Sequence, residues 1–527
     1  MTESEAACEE STPAESAMEP NRTTRRDILR DGFRVGVTAG ISAWAAGCTR
    51  LVQRATAPSW PTDLALPDKA QPIARLLDRA GFGAAPGEVA RVAKIGIAAY
   101  LDEQLAPDEQ PSLEGEDWRL RARLHGLEVL RGDAMELRDL QEREVLRQLQ
   151  AASILRAAYS RRQLRERMVD FWSNHFNIYA RKGLGAYLIT GDDITVVRAH
   201  ALGKFSDLLR ASAHSPAMLS FLDNGENRRG VPNENYAREL MELHTLGVDG
   251  GYTQKDVQEV ARCLTGWTIE NRFLRRRGTF RFDPERHDDG GKIVLGHRIP
   301  AGGGESDGDK VLSILAAHPS TARFLARKLC RYFWGSEDEK WTLRWAQIFT
   351  QSGGDIRAML RPLLASAELI SAPPIVKRPF DFVVSSLRAT GSDTDGGQAL
   401  QEHLAKMGQP LWGWPMPDGY PDRTAAWTGS LLARWNFAAA LSSNGIAGTS
   451  VDFAPFFAAA KIPSNPKEAS AKLDVLIAAI LGVEGHSPSV QSLRRTILKQ
   501  AQTSSTTSLD SGAMAALLLC SPPFQWR

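Results

Sequence analysis

Residues 232–252 are the segment richest in side chains that could do chemistry, and they read P-N-E-N-Y-A-R-E-L-M-E-L-H-T-L-G-V-D-G-G-Y. At helical spacing, Arg238 and Glu242 lie in one row, and Glu239 and Glu242 lie on one face. Two carboxylates and the imidazole of His244 within six residues suit a divalent metal or acid–base catalysis. We therefore treat these four side chains as candidate catalytic residues. Glu239, Glu242 and His244 are also the candidate ligands of a divalent metal, while any other cofactor is unknown. The alternative is a buried Arg–Glu network with solvated charges around it.

A second polar helix, predicted near 162–178, can supply the partners that a carboxylate site on one helix needs. It contains E-R-M-V-D-F-W-S-N-H-F-N-I. Asp170 and His175 are candidate catalytic residues here, because polar groups among so many aromatic side chains need buried partners. The alternative for His175 is a core histidine with satisfied hydrogen bonds and no chemical role.

Two loops add further candidates. The first reads R-H-D-D-G-G-K and contributes His287, Asp288 and Lys292 as candidate catalytic residues, although a plain solvated turn fits equally. The second, within 408–436, is too rich in Pro and Gly for regular structure. Its candidate substrate-binding residues can line a pocket or stack on sugar rings, and the alternative is a loop held to the core by its aromatic rings. These residues are Trp412, Trp414, Asp418 and Tyr420.

The elements that must position these residues are mostly helices. Apolar residues recur at helical spacing from Ile73 onward, and the one convincing β signal lies in 278–298, where Phe280 and Phe282 alternate with charged residues before a short apolar run. The expected fold is mainly α, with one large helical domain and one short β-hairpin inserted at 278–298. The expected divisions are a disordered extension at 1–24, a signal at 25–48, a linker at 49–72, the helical domain at 73–445, and a C-terminal helical segment at 446–527 packed on it.

The amino-acid composition and the absence of common motifs limit which classes of function are expected. The chain has 527 residues, a net charge of +2 and no basic stripe, so nucleic acid is not an expected partner. Three of the five cysteines, Cys263, Cys330 and Cys520, lie far apart on apolar helical stretches and are expected to be buried free thiols. The sequence contains no G-x-S-x-G elbow, Walker loop or H-E-x-x-H motif.

The N-terminal region is typical of an exported protein. From Thr24 it reads T-R-R-D-I-L-R, a twin-arginine pattern, and a mildly apolar run too short to span a bilayer follows. Cys48 ends a lipobox-like A-A-G-C and is a candidate for lipidation, while A-W-A from Ala43 offers a competing cleavage site. The export machinery for twin-arginine signals is then a partner. The expected location is the periplasm or cell envelope, with membrane attachment only through the signal or a lipid. Since such export moves folded proteins, a cofactor acquired in the cytoplasm is compatible with it.

Several segments together resemble a bacterial exported family catalogued as domain of unknown function 1800. The resemblance covers roughly 73–445, and weakly the tail. It is carried by R-L-L-D-R-A-G-F-G from Arg75, F-W-S-N-H-F-N from Phe171, P-N-E-N-Y-A-R-E-L-M-E-L-H-T-L-G-V-D-G-G-Y-T from Pro232, A-R-C-L-T-G-W from Ala261, H-D-D-G-G-K from His287, H-P-S-T-A-R-F-L-A-R-K-L from His318, K-R-P-F from Lys377, M-G-Q-P from Met407 and P-D-G-Y-P from Pro417.

The resemblance implies an exported, mainly helical protein and supplies no catalytic residues. It also implies an exported protein with a sulfatase-like fold as a candidate partner. We expect an envelope enzyme with a carboxylate and histidine pocket, acting on an extracellular or envelope polymer. The alternative is a non-catalytic envelope protein that binds polysaccharide or another protein.

Overall fold

Helices form most of the structure, because apolar side chains recur every three or four residues along nearly the whole chain. The computed structural model describes residues 72–107, 118–271, 277–462, 468–483, 488–503 and 510–527. The twin-arginine signal, Cys48, and nearly all of the predicted linker lie outside the described residues. The mainly α class is confirmed.

The α-helices of the described residues are numbered in chain order. They are α1 Pro72–Ala80, α2 Glu88–Ile95, α3 Ile97–Leu105, α4 Trp118–Leu124, α5 Glu142–Tyr159, α6 Gln163–His175, α7 Gly185–Asp192, α8 Phe205–Ala213, α9 Pro216–Phe221, α10 Glu234–Glu239, α11 Gln254–Cys263, α12 Ser306–Ala317, α13 Pro319–Leu329, α14 Glu339–Ser352, α15 Ile356–Leu364, α16 Pro379–Ala389, α17 Gln398–Lys406, α18 Leu431–Ser442, α19 Ala454–Ala459, α20 Glu468–Leu481, α21 Pro488–Thr503, α22 Ser511–Cys520 and α23 Pro522–Gln525.

Three helices change from α to π geometry at their C-terminal ends. The π segments are π1 Asp193–Arg198 after α7, π2 Leu240–Thr245 after α10 and π3 Cys330–Trp334 after α13. Such wide turns are rare and are often found at functional sites, because each one rotates the following side chains out of α-helical phase. The first of them borders a small cavity of about 60 Å³, the second carries His244, and the third borders the cleft described below.

The strands pair differently from the single hairpin expected at 278–298. β1 Trp267–Ile269 pairs with β2 Phe280–Phe282, and β3 Lys292–Val294 pairs with β4 His297–Ile299, both antiparallel. The two apolar runs inside 278–298 therefore belong to separate two-stranded sheets. The alternation of apolar and charged residues in 278–298 predicted β-strands correctly. It could not predict their partners, because each run pairs with a segment outside this range or at its edge. A third pair joins β5 Asp393–Thr394 to β6 Thr449–Ser450.

The described residues from Pro72 to Arg527 form one compact unit, whose main core is built around α6. Trp172 on this helix is buried, and its indole donates a hydrogen bond to the carbonyl of Ala201. Its ring packs between those of Phe176 and Phe205. Cys263 and Cys330 are buried free thiols, as expected, and Cys520 is a half-buried one. None of the helices that the structure describes is long and apolar enough to cross a bilayer.

Candidate functional site

A cleft of about 280 Å³ opens where the C-terminal ends of α6 and α13 meet an irregular loop. Residues from six parts of the chain line it. They are Phe171, Asn174 and His175 of α6; Phe324 and Lys328 of α13; Arg331 and Tyr332 of π3; Ile375, Val376 and Arg378; residues 418–424 with Trp427; and Arg527. The lining therefore contains five cationic side chains against two carboxylates, in Asp418 and Asp422, so it is basic.

The loop over the cleft is fixed by two asparagines of the F-W-S-N-H-F-N motif. Asn174 exchanges two hydrogen bonds with the backbone of Tyr420, at 2.7 and 3.0 Å. Asn177 donates to the carbonyls of Trp414 and Met416. Between them lies Gly419, at φ +76°, where a Cβ would stand 2.2 Å from the carbonyl oxygen of Asn174. The P-D-G-Y-P motif therefore needs glycine both for its left-handed backbone and for the close approach to α6.

Lys328 projects into this cleft beside a buried histidine. Its Nζ lies 3.0 Å from Nδ1 of His175, whose Nε2 lies 3.1 Å from the carbonyl oxygen of His244. The carbonyl can only accept, so Nε2 of His175 carries the proton and Nδ1 offers a lone pair. Lys328 is then the donor. A neutral Lys328 amine that donates one N–H to His175 still has its own lone pair free for a proton from a ligand.

The environment lowers the pKa of both groups, so His175 is neutral and Lys328 releases its proton more readily than an ordinary lysine. Burial, followed by the charge of Lys328, places the pKa of His175 well below its ordinary value. Burial also lowers the pKa of the half-buried Lys328 from 10.5 to about 8, against the opposing pull of Asp422. An amine with such a pKa can exchange a proton near physiological pH, which is the property expected of an acid–base catalyst.

The inner wall of the cleft is a cluster of arginines around the ring of Tyr332. The guanidinium carbons of Arg167, Arg378 and Arg527 stand 5.2, 5.3 and 5.1 Å from the ring centroid. Arg167 pairs with Asp381, and Arg378 pairs with Asp170. The predicted residue Asp170 thus serves here as a partner of Arg378 and of the Tyr332 hydroxyl, which lies 2.6 Å away.

The acidic side chains of residues 232–252 do not line the cleft themselves, but Glu239 lies near Asp418, a residue of the cleft. Glu239 is half-buried, and burial, then Glu242, and then Asp418 raise its pKa, while Arg238 opposes them. Arg238 donates to Glu234 at 3.2 Å and stands 3.7 Å from Glu242. The predicted Arg–Glu row therefore exists, and the structure brings it toward the predicted loop residue Asp418.

The predicted metal ligand set of Glu239, Glu242 and His244 is not assembled, which corrects that expectation. No group of three His, Cys, Asp or Glu side chains in the described parts of the chain is arranged to hold a metal ion. The physical reason is π2, which turns the His244 ring into the core, where it is 1% exposed and packs against Phe176. Burial lowers the pKa of His244 to about 3, so it is neutral.

The third predicted cluster lies on different elements. Nδ1 of His287 is 2.8 Å from the carbonyl oxygen of Thr265, and Lys292 donates to Asp307 at 2.8 Å. Asp288 accepts a bidentate pair of hydrogen bonds from Arg262. These contacts tie the loop before β3 to α11 and α12, and none of the three predicted residues lines the cleft. Of all the predicted site residues, the cleft therefore contains His175, Asp418 and Tyr420, and this third cluster lies outside it.

The loop aromatics mainly hold the loop in place. Tyr420 is buried and packs between Trp414 and Trp427, and its hydroxyl donates to the carbonyl of Pro410. Trp412 and Trp414 are half-buried, and Trp414 donates to Asp418 at 2.8 Å. Of the four predicted substrate-binding residues, Asp418 and Tyr420 line the cleft.

Sequence reasoning missed most of the cleft lining, including the basic residues Lys328, Arg378 and Arg527. The first two stand in the motifs H-P-S-T-A-R-F-L-A-R-K-L and K-R-P-F, whose resemblance to the family was the available signal. In the first motif, His318 caps α13 by accepting from the backbone of Ser320, and the helix ends near Lys328. Nothing in the local pattern marked Arg527.

Comparison with known proteins agrees with this arrangement of motifs. The chain matches the model of a family described as protein of unknown function (DUF1800) over residues 75–526. The chain belongs to this family. The matched segment includes every residue that lines the cleft except Arg527. No curated protein and no solved structure has significant similarity to the chain.

Proposed function

We propose that this member of the DUF1800 family is an exported cell-envelope enzyme that performs acid–base chemistry on an envelope polymer, with Lys328 as the catalytic residue. The observation that carries the proposal is the contact between Lys328 and the neutral His175 at the cleft. That contact leaves the amine lone pair available at a surface that a ligand can reach. His175 is a positioning residue, since it is buried and orients Lys328.

Supporting features are local. The carboxylates of Asp418 and Asp422 both raise the pKa of Lys328 and so limit the lowering by burial. Without them the amine would be a weaker base. The fixed loop and the rigid end of α6 hold the geometry before any substrate arrives, as catalysis requires.

The test uses the mature protein and purified bacterial envelope polymers, both neutral and acidic, with products followed by chromatography and mass spectrometry. We expect turnover that rises with pH through a midpoint near 8, the value to which burial lowers the pKa of Lys328. Lys328→Gln should lose about 100-fold or more of the rate, the usual scale for an acid–base group. Lys340→Gln, at an exposed lysine of α14, is the matched control. No turnover of any polymer, or equal rates in Lys328→Gln, would reject the proposal.

Export is tested separately. A double change of Arg25→Lys and Arg26→Lys should leave the protein in the cytoplasm, because the twin-arginine pair is the feature that export machinery reads. Cys48→Ala should release a lipid-anchored form into the soluble fraction. Normal export of the double variant would contradict the assignment of the signal.

A further inference from the structure

The arginine cluster behind the cleft has more positive charge than its acidic partners neutralise. Arg167, Arg378 and Arg527 face two carboxylate side chains, Asp170 and Asp381, so the side chains of the cluster leave one positive charge in excess. Arg79 adjoins the cluster and shares Asp78 with Arg75, so Asp78 does not neutralise this excess. Buried charge without a counterion is costly, so the cluster is suited to receive an anion.

Arg527 is the side chain of this cluster that lines the cleft and also leaves two guanidinium nitrogens without a hydrogen-bond partner. It is 3% exposed, lines the cleft, and donates from Nη2 to the carbonyl of Tyr332 at 3.0 Å. Its Nε stands 3.6 Å from Asp381, and neither Nε nor Nη1 has a hydrogen-bond partner among the described residues. Most buried polar groups have a hydrogen-bond partner, and an oxyanion in the cleft would supply one to this guanidinium.

The surrounding structure holds this guanidinium toward the cleft. The backbones of Arg527 and Ile375 exchange two hydrogen bonds, at 2.8 and 3.0 Å, and Ile375 also lines the cleft. Burial, and then the neighbouring Arg167, lower the pKa of Arg527 to about 10. A bound anion would oppose both effects, because it stabilises the charged guanidinium.

We propose that Arg527, together with Arg378, binds an oxyanion group of the ligand at the inner wall of the cleft. A carboxylate of an acidic sugar, a sulfate and a phosphate share the required chemistry, since each offers two oxygens to a guanidinium fork. This inference rests on the proposed function only where it identifies the ligand as an acidic envelope polymer. Lys328 and the oxyanion site then act on one ligand, the amine on the reacting part and the arginines on the charged group.

The test is calorimetric titration of the mature chain with glucuronate, inorganic sulfate and inorganic phosphate, at ionic strength held constant with sodium chloride. We expect saturable binding of at least one, and the preferred anion identifies the source of the charge. Arg527→Gln should weaken that binding roughly tenfold or more, the loss expected for a charge-assisted pair. Arg327→Gln, at an exposed arginine of α13, is the control and should bind as the native chain does.

Arg527→Lys is a second variant in case Arg527→Gln fails to fold. It keeps the positive charge but loses the pair of N–H donors with which a guanidinium binds two oxygens. It should bind more weakly than the native chain while retaining its thermal unfolding midpoint. Absence of saturable binding to all three anions, or undiminished binding in both Arg527 variants, would overturn the inference. Lys328→Gln should still bind the anion, so loss of turnover in that variant concerns the proposed function alone. If the native chain turns over a polymer but binds none of the three anions, only the proposal of an oxyanion site is rejected.

Discussion

The titration of Lys328 is the prediction that most directly tests the site. The amine has a pKa lowered from 10.5 to about 8 by burial. At pH 7.5 the neutral fraction is then about one quarter, against about one thousandth for an ordinary lysine, a ratio of roughly 240. A less basic amine is also a weaker nucleophile. With the Brønsted exponent of about 0.45 that applies to thiols, the lower basicity reduces the intrinsic nucleophilic reactivity of the amine about 13-fold. The net reactivity advantage is about 20-fold, before any loss from partial burial.

Trace labelling with acetic anhydride across pH 6–11, read by peptide mass spectrometry, measures this directly. The labelling of the Lys328 peptide should rise through a midpoint near 8, since that is the pKa of the buried amine. Asp422→Asn should move the midpoint lower, because the Asp422 carboxylate raises this pKa. Glu103→Gln, at an exposed acid of α3 paired with Arg91, is the control and should leave the midpoint in place. A midpoint near 10.5 in the native chain would refute the argument from burial.

Three further changes test the framework of the site. Gly419→Ala should destabilise the protein by about 3 kcal/mol in urea unfolding, because its Cβ would stand 2.2 Å from the carbonyl oxygen of Asn174 at a left-handed φ; unchanged stability would contradict the close approach. Asp381→Asn should cost about 3–5 kcal/mol, because it leaves the buried Arg167 without its ion pair, and a loss below about 1 kcal/mol would be inconsistent with that pair. Burial raises the pKa of Asp192 to about 7. Its folded pKa exceeds the unfolded value, so the folded state binds more protons, and stability falls as pH rises from about 4 to about 7. Relative to the native chain, Asp192→Asn should therefore gain about 2–4 kcal/mol between pH 4 and pH 8, and a pH-independent difference would argue against the shift.

The positions of the helices and the presence of the family motifs could be predicted from the sequence. Apolar spacing located the helices that carry the site, and Asn233 does cap the helix of the P-N-E-N-Y motif by accepting from the backbone of Asn235. The family motifs, taken together, predicted membership, and the structure shows that four of them carry residues lining the cleft. These features depend on neighbours three or four residues apart, which the chain places together whatever the rest of the fold does.

The chemistry of the site was decided by the tertiary structure. Lys328 and His175 are 153 residues apart, and Arg527 and Tyr332 are 195 apart, so no local pattern pairs them. The π turn that rotates His244 into the core likewise removed it from the expected metal set. Burial, which sets the pKa of Lys328 and leaves Arg527 with unpaired donors, depends on packing between distant segments. The sequence by itself therefore determined which helices and motifs exist. Only their packing decided that an amine and an arginine cluster, and not a carboxylate–histidine trio, form the cleft.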